Sequence, residues 1–304
     1  MAPTKGFHGI YPILYAFFDA QGRLDAGAMR RQIDACARSA CHGVAALGLA
    51  TEVAKLTAQE KRDIIVWLAQ GMASASASGN AKPIAITISG DTVAEQSELA
   101  QFAADHGAHW LVLQPPRDRT QPEQYYFDFF AEVMARTALP CAIQNAPEYL
   151  GVGLSPASIA RLAALRPNFS VLKGEGPAVR MHEVIALNPG MAVFNGRGGL
   201  ELIDNLRAGC AGMIIGVDSF DWQARIYDAY RSGDLAAAQQ QYQAILPGIV
   251  FMMQSIEHLV CYGKRIAAIR LDLPPVCERS PALVPSPFGL ECVRRFAQAL
   301  GPLL

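Results

Sequence analysis

Short apolar segments recur along the chain, and most are followed by a stretch whose apolar positions repeat at helical spacing. The first covers residues 9–18, is rich in aromatics and closes in a turn at Asp19-Ala20-Gln21-Gly22, so it reads as a strand. Asp25 is placed to cap a helix carrying Ala28, Met29, Ile33 and Cys36 on one face, with Gly43 at its exit. A second strand over 44–47 leads through Gly48-Leu49-Ala50-Thr51-Glu52 to a Thr57-x-x-Glu60 capping box, which opens a helix through Ile64, Ile65 and Leu68. Residues 73–80 are small and polar and predict a surface loop. Further strands are predicted over 83–88, 110–114, 141–145, 171–173, 192–195 and 213–216, with helices over 92–106, 122–137, 156–165, 199–208 and 222–230.

Strand-helix alternation at this spacing implies parallel strands joined by right-handed crossovers, and eight such units close into a (β/α)8 TIM barrel. A doubly wound open sheet is the alternative fold. Beyond the eighth unit, helical patterns over 235–250, 254–269 and 287–300 are separated by Pro274-Pro275 and by the prolines of 281–287. The expected organisation is a barrel over 1–232 and a C-terminal helical extension over 233–304.

Composition narrows the class of partner. The 304 residues, 51% of them hydrophobic, suffice for one large domain with a full core. With 26 basic and 27 acidic residues, a net charge of −1 and no block of one sign, no footprint for nucleic acid or an anionic membrane is visible, and a small molecule is the default ligand. The seven cysteines are odd in number, scattered and free of C-x-x-C pairs, which argues against a disulfide framework and against zinc. The six histidines show no metal-ligand spacing, so no metal is expected. Residues 1–8 lack an apolar signal-peptide core and no run approaches the length of a membrane span, so a soluble, cytoplasmic protein is expected.

The chemistry gathers around Val171-Leu172-Lys173-Gly174-Glu175-Gly176-Pro177, an apolar run that ends in a lysine and is broken by glycine and proline. Alternation along a strand puts Val171, Lys173 and Glu175 on one face. A lysine in a water-poor interior is favoured in its neutral form, the form that attacks a ketone to make a Schiff base. The plainer reading is a buried Lys-Glu ion pair. In a (β/α)8 barrel chemistry sits at the C-terminal strand ends, where Lys173, the loop from Gly48 to Glu52, Gln144-Asn145 and Asn195-Gly196-Arg197 all fall. Gln144-Asn145 could equally serve a turn before Pro147, Asn195-Gly196 reads more simply as a tight turn, and Glu52 as support for the next helix terminus.

Over essentially the whole chain the pattern resembles the dihydrodipicolinate synthase and N-acetylneuraminate lyase family of class I aldolase-type barrels. The likeness rests on the strand from Gly9, the Gly48-Leu49-Ala50-Thr51-Glu52 loop, the Asn145-x-Pro147 pair and a lysine at the end of strand six. It implies that Lys173 forms the Schiff base and that a 2-keto acid carboxylate is held by Ala50 and Thr51. It further implies substrate contacts from Asn195, Gly196 and Ile215, a homotetramer, and no organic or metal cofactor.

The departures bear on the reaction. The family's proton-relaying tyrosine before Asn-x-Pro is Gln144 here, and an amide does not titrate near neutrality. The paired threonines of the loop become Leu49 and Ala50, and an arginine that helps bind aspartate semialdehyde aligns with Tyr149. Glu175 stands where many relatives carry other residues. Lys173-x-Glu175 with Gln144 resembles the sub-family of L-2-keto-3-deoxyarabonate dehydratases, which implies conversion of that acid to 2-oxoglutarate semialdehyde (2,5-dioxopentanoate) in non-phosphorylative L-arabinose degradation. In this hydro-lyase reading Glu175 is base and acid in turn, and Gln144 orients the departing hydroxyl or a water. Cleavage of a 2-keto-3-deoxy acid to pyruvate and an aldehyde, or a catalytically silent keto-acid-binding barrel, are the alternatives.

Overall fold

The computed structural model describes residues 6–77 and 79–303. Residues 1–5, which carry most of the stretch read for a signal peptide, and Ser78 of the 73–80 segment lie outside the described residues. Eight parallel strands follow one another around a closed barrel, with each strand hydrogen-bonded to its neighbours in sequence and β1 to β8. They are β1 (Gly9–Ile13), β2 (Val44–Ala46), β3 (Ile84–Ile88), β4 (Trp110–Leu113), β5 (Cys141–Asn145), β6 (Phe169–Gly174), β7 (Ala192–Asn195) and β8 (Gly212–Gly216). The expected barrel is therefore present, and the open sheet is not.

Nearly every strand residue is buried, because one face fills the barrel and the other packs under the helices. That double burial is why the strands read as apolar runs rather than as alternating patterns. Tyr11, Trp110 and Phe194 fill the interior with ring centroids 5.4 to 5.6 Å apart. The layer of helices between strands comprises α1 (Ala26–Arg38), α2 (Ala58–Ala77), α3 (Val93–Asp105), α4 (Glu123–Met134), α5 (Pro147–Leu150), α6 (Pro156–Leu165), α7 (Ala178–Leu187) and α8 (Leu202–Ala208), with α9 (Phe220–Ser232) after β8. Asp25 caps α1 by accepting from the Gly27 and Ala28 amides at 2.9 and 3.0 Å. The Thr57/Glu60 box opens α2 as expected, each side chain bonding the other residue's backbone amide.

The helices α5 and α7 have no counterpart in the expected elements, and three further segments differ from expectation. Residues 73–77 continue α2 instead of forming a loop, since the alanines that alternate with serine there are strong helix formers. The helix expected over 199–208 begins only at Leu202, after a tight turn over Arg197–Gly199 whose Arg197 and Gly198 both have positive φ. The helix expected over 254–269 is composite, running through α11 (Ile256–His258), a π-helical stretch Leu259–Gly263 and α12 (Lys264–Arg270).

A 106° bend separates α10 (Leu235–Met252) from this composite helix. The bend carries Met253, Ile256 and Leu259 over the C-terminal mouth of the barrel. The chain ends in α13 (Pro287–Leu300). Among the described residues no single helix is long and apolar enough to cross a membrane.

Candidate active site

In the β5/β6 pairing Gln144 stands opposite Lys173, so the two side chains rise from adjacent strands into one layer of the barrel interior. Lys173 is 3% exposed, Gln144 1% and Glu175 7%. Glu175 follows directly on β6, where its backbone amide donates to Asn145 O at 3.3 Å. Its two carboxylate oxygens have different partners: Oε1 lies 3.4 Å from Lys173 Nζ, and Oε2 accepts from Gln144 Nε2 at 2.9 Å. Gln144 Oε1 in turn accepts from Gln114 Nε2 at 2.8 Å, so the orientation of the Gln144 amide is fixed from behind.

Gly196 closes the other side of the carboxylate. A Cβ at that position would lie 2.4 Å from Glu175 Oε1, so only glycine lets the backbone after β7 come this close. Lys173 and Glu175 face a small cavity of about 30 Å³ whose walls include Ala50, Ile215 and Arg197, with Met253 from the C-terminal segment. Leu49 and Ile256 of the same wall also line a wider, mostly apolar groove of about 470 Å³. That groove contains neither Lys173 nor Glu175, so its size does not make it the reaction centre.

The structure thus brings Lys173, Glu175, Ala50 and Ile215 together at one cavity, with Gln144 behind Glu175. Thr51 and Asn195 are placed in the wall instead. Thr51 is fully buried and its hydroxyl donates to Leu14 O at 2.6 Å, which spends its only proton on the β1 backbone. Asn195 donates to Gly176 O at 2.8 Å and to Asn205 Oδ1 at 2.7 Å, and its own oxygen accepts from the Gly196 amide. Asn145 clamps the following loop by exchanging bonds with the Leu154 backbone. The Glu52 side chain caps no helix amide, although its carbonyl accepts from the Lys55 amide at 2.8 Å in the single helical turn that follows. Its carboxylate pairs with Lys55 at 2.5 Å and with the buried Lys264, tying the loop after β2 to α12.

Two features carry no local sequence signal. Tyr15 donates to Asp218 Oδ1 at 2.6 Å, 203 residues away, directly behind Gly216, where a Cβ would lie 2.2 Å from that oxygen. Burial pushes both groups up: Tyr15 well above its ordinary value, aided by the Asp218 charge, and Asp218 above its ordinary value. The second is Arg197, noted only as part of a polar cluster. Its Nη1 donates to Glu201 Oε2 at 3.0 Å and it reaches both the cavity and Tyr149. Among the described residues no group of three or more His, Cys, Asp or Glu is placed to hold a metal ion.

Comparison with known proteins identifies the family and the fold. The profile of the dihydrodipicolinate synthetase family matches residues 6–281. A 4-hydroxy-tetrahydrodipicolinate synthase from Methanothrix thermoacetophila is 23% identical over 91% of this chain and 94% of its own length. An L-2-keto-3-deoxyarabonate dehydratase from Azospirillum brasilense is 27% identical over 80% of this chain and 79% of its own, and other relatives carry aldolase names. The crystal structure of YagE, a protein of the dihydrodipicolinic acid synthase family from Escherichia coli K12 in complex with pyruvate, superposes with a TM-score of 0.86 at 24% identity. That superposition covers 97% of this chain and 98% of the other.

Proposed function

The chain belongs to the dihydrodipicolinate synthetase family, whose members are lyases, aldolases and dehydratases acting on small molecules, and within it we propose a Schiff-base dehydratase of a 2-keto-3-deoxy sugar acid. The substrate that best fits is L-2-keto-3-deoxyarabonate and the product 2,5-dioxopentanoate. The observation that carries the reading is Glu175, held by Gln144 through one oxygen while the other lies 3.4 Å from Lys173 Nζ. A carboxylate able to move a proton stands beside the imine-forming amine, and at 144 there is an amide that cannot serve as a base.

In this mechanism the Lys173 amine condenses with the C2 ketone and releases water. The iminium acidifies C3, Glu175 takes a C3 proton, and the enamine expels the C4 hydroxyl, to which Glu175 returns the proton so that a second water departs. The conjugated C3=C4 bond left behind shifts a proton from C5 to C3 and becomes the enol of a C5 aldehyde. Ketonisation and hydrolysis of the imine, using one water, restore Lys173. The net change is loss of one water. Gln144 is a positioning residue that aims Glu175, and the Ala50 amide and the Ile215 wall accommodate the keto-acid end. Thr51, Asn195 and Gly196 act by shaping that wall.

The same proposal keeps the barrel of 1–232 and the extension of 233–304 as one working unit, since Met253 lines the cavity. It also keeps a cytoplasmic homotetramer, for which sedimentation of the purified chain is the test of subunit number. Incubation with L-2-keto-3-deoxyarabonate should yield the semialdehyde. Pyruvate and glycolaldehyde in its place would establish the aldolase reading, and imine trapping without turnover on any keto-deoxy acid would establish a silent binding barrel.

A further inference from the structure

One polar group at the cavity has no partner. Arg197 Nε is buried and, among the described residues, donates to no hydrogen-bond partner, although the same guanidinium bonds Glu201 through Nη1. A structural arginine in this fold looks different: buried Arg270 donates through Nε to Gly301 O at 2.6 Å, and through its other nitrogens to Asp218 O and the Asp221 carboxylate. The backbone at Arg197 is also unusual, with φ of 53° between Gly196 and Gly198, a left-handed conformation that a non-glycine residue adopts at a cost. A strained residue that leaves a buried donor unmet, in the wall of the cavity that holds Lys173 and Glu175, is arranged for something that arrives from outside.

Its position along the cavity says which part of the ligand. Lys173 Nζ marks C2, and Glu175 beside it marks C3 and C4. Gly196, adjacent to Arg197, abuts the Glu175 oxygen that faces Lys173, and Tyr149 has both Arg197 and Glu175 as neighbours. On this numbering, the part of the ligand beyond C4 is what remains for Arg197 and Tyr149 to contact. The Glu201 carboxylate already balances the guanidinium charge, so the site suits a neutral hydroxyl or carbonyl oxygen better than a second carboxylate.

The geometry points to Arg197 as a substrate-binding residue whose Nε–H, beside the Tyr149 hydroxyl, receives the C5 oxygen of the keto acid. This assignment rests on the Schiff-base reading above for its numbering of carbons. It makes the length of the substrate and the presence of a distal oxygen the basis of selection.

The test compares two ligands of equal carbon number, 5-hydroxy-2-oxopentanoate and 2-oxopentanoate, which differ only in the distal hydroxyl. Neither has a C4 hydroxyl to lose or to cleave from, so binding is read apart from turnover. Calorimetric affinities for the wild type should favour the hydroxy acid by about 10- to 100-fold, the usual range for a hydrogen bond to a charged donor. Arg197→Met should bring the two affinities within about threefold by weakening only the hydroxy acid. Arg197→Lys, which keeps a cation for Glu201 but has no Nε, should lose the preference as well, and melting curves establish that both variants fold. No preference in the wild type, equal weakening of both ligands, or full preference in Arg197→Lys would overturn the assignment. Intact preference in an enzyme that fails to dehydrate any keto-deoxy acid would instead sink the dehydratase reading and leave Arg197 in place.

Discussion

Glu175→Gln separates the catalytic role of this residue from a purely structural one. The substitution keeps the volume of a side chain that is only 7% exposed but removes its ability to carry a proton. The new amide can present its oxygen to Gln144 Nε2 or to Lys173, not to both. The 2.9 Å bond from Gln144 is the firmer contact and should set the orientation, which turns the new NH2 group toward Lys173 across a gap of 3.4 Å. A charge-assisted N–H to oxygen bond is typically about 2.7–2.9 Å, so the Lys173-Glu175 pair is loose and its loss should disturb the lysine little. Imine formation, read by borohydride trapping of pyruvate and a mass shift on the peptide containing Lys173, is therefore expected to survive. Dehydration should fall by about a thousandfold, within the range of roughly 10²–10⁴ for a general acid-base group and equal to about 4 kcal/mol on the barrier. If the residue were instead the essential partner of a buried ion pair, breaking it would cost about 3–5 kcal/mol of stability and trapping would fail together with the melting temperature. Intact trapping with near wild-type turnover would refute the catalytic role.

Gln144→Tyr should dehydrate about tenfold more slowly, because Glu175 Oε2 loses its donor, and should release trace pyruvate by returning a group able to take the C4 hydroxyl proton; faster dehydration with no new product would show that the amide is incidental. Trapping with pyruvate and borohydride should modify Lys173 and no other lysine, and a label elsewhere would end the assignment. Activity should survive exhaustive dialysis against a chelator, and loss reversed by one added metal would contradict this. The Arg279 guanidinium, bidentate on Glu60 at 2.7 and 2.9 Å, holds that carboxyl at about 2, with the Thr57 amide assisting. A folded-state value below the ordinary 4.5 means that the stabilisation is complete above pH 4.5 and is lost as pH falls toward about 2. The melting-temperature gap between wild type and Arg279→Ala should accordingly narrow as pH falls through that window, and a gap independent of pH would assign the effect to the Arg279 bonds with Gly22 O and Lys55 O.

What could be read from the sequence was local. Asp25, Thr57 and Glu60 cap their helices through neighbours two or three positions away, and the buried strands announce themselves as apolar runs. Lys173 and Glu175 were legible as a pair because alternation along one strand places them together, and the resemblance supplied a role. Partners distant in sequence were not legible. Gln114 supports Gln144 across 30 residues, and Lys264 meets Glu52 across 212, so the loop after β2 is fastened by a helix that no spacing rule connects to it. The helix expected over 199–208 starts late because the tight turn that ends at Gly199 is set by close contact with Gln223, not by propensity.

Among the described residues two buried lysines carry carboxylate partners, and their surroundings differ in the way the proposed mechanism requires. Lys264 is fully buried, is bonded to Glu52 and to Glu278, the latter at 3.1 Å, and lies 5.4 Å from the centre of the Phe18 ring. Its nitrogen is committed on several sides, and those contacts join the loop after β2, α12 and the segment before α13. Lys173 has one carboxylate oxygen at 3.4 Å and otherwise opens on the cavity. The slack in that contact has a structural cause, since Gln144 holds the other oxygen and Gln144 is itself held by Gln114. Glu175 is thereby kept from closing onto the lysine and stays within reach of both the amine and the carbons that would be joined to it. For the proposed mechanism a tighter ion pair would make a worse site, because the group assigned to move a proton would be occupied in holding the amine.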